Sequence, residues 1–299
     1  MRLIKAAILA VAQAILVFLS PLLVVGQCCS GNSSTCETDA PVERAYRCGR
    51  WFVAETKHFQ ICTVSNSDTA ARIADRAEKL RRELGSKWLG KTWSAAWTAK
   101  CQIVVHPDQR AYISAVGRAS ERTAGSSLVK VSKGQITERR IDLIDARECT
   151  PTALPHELTH ILLRDRFLAK EPPRWADEGV ASLADSPTKQ HQHYEDLQRA
   201  LSHRTTFHAA SLMTMEKYPT RDEWPVYYGQ SISMVQFLVA RKSAAHFVDF
   251  IEQATIHGYD TALESCYGIP NVAALNRQWG QHMQARLIGF SRPQAPRRS

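Results

Sequence analysis

His156, Glu157 and His160 have the residue types and the spacing of a hydrolytic metal site. Histidines four positions apart put their rings on one face of a helix, one turn above the other. From there two imidazole nitrogens can reach a single Zn²⁺ at roughly 2.0–2.1 Å each. Glu157 follows the first ring directly, where it can hold a water from the side and take its proton. A catalytic zinc uses three protein ligands and keeps its fourth position open, so one ligand is missing. Glu178 is the candidate, within Trp175-Ala176-Asp177-Glu178-Gly179 and after the break at Pro172-Pro173. Leu154, Leu158, Ile161 and Leu162 mark the histidine helix as buried. Two ionisable rings and a carboxylate on such an element would be costly to bury without a partner. That favours an ion over histidines that are merely packed.

At these residues the chain resembles the gluzincin metallopeptidases, the zincin group with His-Glu-x-x-His and a downstream Glu. Pro173-Arg174-Trp175-Ala176-Asp177-Glu178-Gly179-Val180-Ala181 is similar to the Trp-Leu-Asn-Glu-Gly-Leu-Ala box of the peptidase MA-like families. The resemblance covers residues 51–290 and implies His156, His160 and Glu178 as zinc ligands with Glu157 as base. Glu178 follows His160 by 18 positions, one short of the commonest aminopeptidase spacing, a difference the variable turn between the helices can absorb.

The resemblance reaches further. Amide hydrolysis builds charge on the carbonyl oxygen, which a nearby donor can stabilise. Residues 226–238 are similar to the family's Tyr-Glu-Lys-Gly-Phe-Ala-Leu-Leu stretch, and aligning Ser231 with that Gly puts Tyr228 in the donor role, with Tyr227 as the alternative. An edge strand before the histidine helix binds substrate backbone in that fold, and residues 126–132 are placed for it. The thermolysin-type pattern has Asp four residues after the ligand Glu, but position 182 is Ser. Asp177, Asp185 and Asp165 therefore stay open as partners of the ligand rings. No Gly-x-Met-Glu-Asn motif is present, which favours an endopeptidase or a narrow maturation protease over an aminopeptidase.

These residues need elements to hold them. A strand is expected over 51–63, then a helix over 67–84 capped by Ser67, whose Ile73, Ala77, Leu80 and Leu84 share one face. A buried strand follows at 101–106, a helix from Pro107-Asp108 to about Val116, and strands at 126–132 and 140–144 around a turn at Gly134. Everything after Pro151 reads as helical: the histidine helix capped by Thr152, then 175–185, 191–201, 229–239, 244–253 and 272–287. Strands first and helices later give an α+β chain. The expected architecture is zincin-like, a small mixed sheet lobe (51–150) and a mainly helical lobe (151–290), with zinc in the cleft between. His191 and His193 read as a solvated helix face, His58 and His106 as structural, and Trp175 as packing beneath the site.

Composition sets the surroundings. The chain has 299 residues, 44% hydrophobic, enough for a sizeable core. Its net charge is +9, but apart from Arg292, Arg297 and Arg298 in a basic, disordered tail (291–299) the cations are scattered. No basic stripe interleaved with aromatics appears, so no nucleic-acid partner is expected. Arg2 and Lys5 precede an apolar run over 6–25 and Val24-Val25-Gly26, which reads as a signal peptide (1–26) or an uncleaved anchor. Eight cysteines, four of them in a lead segment over 27–50, fit an oxidising compartment. Cys62–Cys101 and Cys149–Cys266 are candidate pairs. The expected partner is a peptide or protein substrate, with membrane contact only through the N-terminal segment. The expected location is secreted, periplasmic or cell-envelope. The alternative function is a catalytically silent zincin-fold scaffold, against which Glu157 argues, since a pure metal holder has no use for a base.

Overall fold

The computed structural model describes residues 42–94, 96–145 and 152–291. The apolar start with its cleavage site, Cys28, Cys29, Cys36, Cys149 and the tail beyond 291 lie outside the described residues, and with Cys149 the Cys149–Cys266 pairing.

Among the described residues six strands form one mixed sheet: β1 (Arg44–Cys48), β2 (Trp51–Glu55), β3 (Phe59–Thr63), β4 (Cys101–His106), β5 (Gly125–Ser132) and β6 (Gln135–Ile144). Their order is β1-β2-β3-β4-β6-β5. β3, β4 and β6 run parallel, while β1, β2 and β5 are antiparallel to their neighbours. β5 is thus an edge, as expected for 126–132. Its hairpin to β6 turns through Lys133 and Gly134, both at positive φ (51° and 73°), the pattern of a two-residue primed turn.

The single strand expected over 51–63 is instead a hairpin of β2 and β3. The turn lacks Gly, Pro and Asn, and a carboxylate from elsewhere makes up for them. Glu78 accepts from the Thr56 hydroxyl at 2.7 Å and from the His58 amide at 3.0 Å. The sheet also begins earlier than expected, with β1 inside the lead segment. Cys62 and Cys101 do not pair, and both are buried thiols. Parallel register sets Phe59 beside Cys101 and Cys62 beside Val104, an odd offset, so the two side chains leave the sheet on opposite faces.

The face carrying Phe59, Ile61, Cys101, Ile103, Ile141 and Leu143 holds the core. Against it packs α1 (Ser67–Leu89), whose Ala70, Ile73, Ala74, Ala77, Leu80 and Leu84 line one buried stripe. Its cap is Asn66, not Ser67: Asn66 has extended backbone and accepts from the Thr69 amide at 2.8 Å. Asp108 caps α2 (Gln109–Val116) in the same way.

The remainder is helical: α3 (Leu154–Arg166), α4 (Arg174–Ser182), α5 (Pro187–His203), α6 (Ala209–Met213), α7 (Trp224–Val239), α8 (Ala244–His257), α9 (Tyr259–Tyr267) and α10 (Val272–Ser291). The short α6 and α9 were not expected, and α4 stops at Ser182 rather than 185. Thr152 does not cap α3. Ala153 already has helical backbone (φ −81°, ψ −13°), so the helix is entered through a turn and carries no side-chain cap. Pro155 sits in the first turn, as expected, where an amide would have no intrahelical partner. No helix among the described residues is long and apolar enough to cross a membrane. The fold is α+β, a sheet lobe followed by a mainly helical part.

Candidate metal centre

α3 turns Leu154, Leu158, Ile161 and Leu162 into the core and His156 and His160 towards a cleft. Their ring centroids are 4.9 Å apart. α4 packs on α3 and brings Glu178 to both: Oε2 lies 3.6 Å from His156 Nε2 and 4.0 Å from His160 Nε2. Gly179 lets α7 approach this close. A Cβ there would fall 2.6 Å from Val235 Cγ2 and 2.8 Å from the Ser231 carbonyl oxygen.

One ligand atom from each of the three residues lies within 4.8 Å of the others. Tetrahedral zinc with bonds of roughly 2.0–2.1 Å would hold its ligand atoms about 3.4 Å apart, so a small contraction suffices. The donor set, two imidazoles and one carboxylate, suits zinc among several divalent ions. The rings are also oriented for it. His156 Nδ1 faces Asp185 Oδ1 at 3.2 Å, and His160 Nδ1 faces Asp177 Oδ1 at 3.0 Å. Both are ion-pair distances rather than completed hydrogen bonds. Carboxylates behind both rings leave Nε2 as the nitrogen that would face an ion.

Without an ion the cluster is a buried ion pair. Burial works against a charged His156, but Asp185 and Glu178 outweigh it and raise its pKa. Burial likewise opposes charge on His160, yet Asp177, Glu178 and Glu157 push its pKa up to about 10. For Glu178 burial would favour the neutral acid, and His156, His160 and Tyr218 together hold it well below the ordinary carboxylate range. A bound cation and two ring protons therefore compete for the same space.

Two features escape the sequence reading, Tyr218 and the burial of His193. Tyr218, in the segment between α6 and α7, donates a short hydrogen bond to Glu178 Oε1, leaving Oε2 towards the histidines. Asp185, one of the acids left open above, lies seven positions beyond Glu178 and past the end of α4, not four as the thermolysin-type pattern would have it. Asp165 serves elsewhere, accepting from Trp97 Nε1 and buried Arg139 at 2.6 Å each. His193 is not on a solvated face: it is largely buried and stacks on Tyr228, with ring centroids 5.6 Å apart and an interplanar angle of 25°. His191 is exposed, as expected.

The cleft encloses about 530 Å³ and is lined by Gly125–Val129 of β5 and by His156, Glu157, His160, Glu178, Tyr218 and Tyr228. Tyr228 is on the wall, whereas Tyr227 is fully buried, its hydroxyl without a partner among the described residues. Trp175 packs beneath, its Nε1 donating to the Tyr259 hydroxyl at 2.9 Å. No protein-family model matches the chain, and no curated protein matches it.

Proposed function

We propose that this chain is a zinc-dependent peptide hydrolase of gluzincin type, with His156, His160 and Glu178 holding the metal. One observation carries the reading: the three ligand atoms converge beside Glu157 in a cleft also lined by β5, a sheet edge unpaired among the described residues. When bound, the ion supplies a Lewis acid for the scissile carbonyl and lowers the pKa of water.

The chain's own residues do the rest. The edge of β5, free among the described residues, offers amides and carbonyls to an extended peptide, fixing its register in the cleft. The Glu157 carboxylate accepts the proton of the attacking water and passes it to the leaving amine. The Tyr228 hydroxyl donates to the carbonyl oxygen as negative charge grows there. Asp177 and Asp185 keep the two rings aimed, and Tyr218 fixes one Glu178 oxygen so that the other faces the histidines. The basic, apolar N-terminal segment supports action outside the cytoplasm, in the cell envelope or beyond.

The test is metal analysis of the purified protein together with peptide-library digestion, with and without a chelator. Glu157→Gln should retain the metal and lose cleavage. If Glu157→Gln cleaves as well as the parent, the hydrolytic reading fails; a scaffold would bind its partner regardless of this change.

A further inference from the structure

The two helices proposed to carry the metal ligands each also turn one arginine into the cleft, at matching places. Arg164 stands one turn beyond His160 on α3, and Arg174 one turn before Glu178 on α4. α3 runs towards the connection over 167–173 and α4 runs away from it, so both arginines stand at that end of the cleft, and both line it.

Neither guanidinium has a carboxylate partner among the described residues. Arg174 Nε donates to the Glu216 carbonyl at 2.7 Å, and its guanidinium carbon lies 4.7 Å from the centroid of the Tyr218 ring. Its two terminal nitrogens have no partner among the described residues. Arg164 spends one terminal nitrogen on the Phe167 carbonyl, and its Nε and other terminal nitrogen have no partner among the described residues. Nearby arginines differ: Arg139 pairs with Asp165, and Arg166 with Asp249 and Glu252. Glu171 and Asp177 share the cleft wall, yet neither comes within ion-pair distance of Arg164 or Arg174. A guanidinium held by a backbone carbonyl and an aromatic ring, with its fork unspent, is pre-organised to grip a carboxylate with two parallel hydrogen bonds.

We infer that Arg164 and Arg174 form an anion subsite one helical turn from the metal, selecting peptides with a carboxylate on that side of the cleaved bond. This rests on the peptidase reading for its substrate class. The carboxylate belongs either to an acidic side chain or to the peptide's C-terminus, since both present the same two oxygens.

The experiment uses the full-length Glu157→Gln protein loaded with zinc and fluorescein-labelled alanine-based hexapeptides. The peptides carry one Glu or one Gln, each as free acid and as C-terminal amide, and binding is read by anisotropy. A carboxylate-bearing peptide should bind roughly 10-fold or more tighter than its neutral counterpart, in line with charge-assisted pairing. Adding Arg164→Gln or Arg174→Gln should abolish that preference while neutral peptides bind as before. Arg174→Lys, which keeps the charge but loses the fork and the stacking, should retain only part of it. If the preference follows Glu over Gln, a side chain is read; if it follows free acid over amide, the C-terminus is read. An unchanged preference in the arginine variants, or no preference in the parent, overturns the subsite. Cleavage by wild type without any carboxylate preference sinks this inference alone. Carboxylate preference that depends on the arginines, in a wild type that never cleaves, keeps the subsite and sinks the hydrolase.

Discussion

Gly125 and Glu157 meet with no space between them. A Cβ on Gly125 would fall 2.8 Å from Glu157 Cγ and 2.9 Å from its Oε1, with Leu143 Cδ2 at 3.0 Å closing the other side. The first residue of the edge strand is therefore a wall of the pocket that holds the proposed base. The same strand borders the cleft, so one element both limits the motion of Glu157 and offers backbone to a substrate.

Gly125→Ala should push the Glu157 carboxylate aside without touching the three ligands. Since a misplacement of about 1 Å can cost on the order of 100-fold in rate, we expect kcat to fall roughly 10- to 100-fold. Metal content, measured on the same preparation, should stay that of the parent. An unaltered kcat would mean that the contact does not position the base.

Asp177 and Asp185 should govern metal affinity. Replacing a carboxylate behind a ligand histidine typically costs 10- to 100-fold, and we expect that for both Asp177→Asn and Asp185→Asn in a competition titration against a zinc chelator. Asp165→Asn is the control, because its partners are Arg139 and Trp97, away from the rings. Equal losses in all three variants would point to general destabilisation.

The metal-stripped protein should have a bell-shaped stability profile. His160 is raised from 6.5 to about 10, so its contribution is complete below pH 6.5 and disappears as pH rises through about 10. Glu178 is lowered from 4.5, so its share is present above pH 4.5 and disappears as pH falls below the ordinary carboxylate range. Denaturation midpoints of the stripped protein should therefore peak between about pH 4.5 and 6.5. With zinc added, the midpoint should rise most at higher pH, because binding displaces ring protons. A flat profile for the stripped protein would contradict the buried pair.

Two tyrosines should separate by readout. Tyr228→Phe removes a donor to the developing oxyanion and should lower kcat by about 100- to 1,000-fold with metal retained. Tyr218→Phe frees Glu178 Oε1, so its main effect should be weaker zinc binding. If Tyr218→Phe alone lowers kcat at full metal occupancy, the two roles must be exchanged.

The residues that can hold a metal were legible because helical periodicity is local. His156 and His160 had to share a face, and Glu157 had to sit beside them, whatever the rest of the chain did. The alternation of strands and then helices likewise gave the α+β class. Turn chemistry was less legible: the bend between β2 and β3 depends on Glu78, some twenty residues away, and helix starts were misplaced by a residue where Asn66 and Ala153 take over. Cys62 and Cys101 looked like partners until the register set them on opposite faces.

Sequence by itself determined the two imidazoles and the neighbouring carboxylate, which follow from residue type and the 3.6-residue repeat, and made Glu178 a candidate through its box after Pro172-Pro173. Only the tertiary structure decided which acids stand behind the rings, that Tyr218 holds Glu178, that Tyr228 rather than Tyr227 lines the cleft, and that Gly125 confines Glu157. Those are contacts between elements distant in the chain, and they depend on how α3, α4, α7 and β5 pack, which no local spacing encodes.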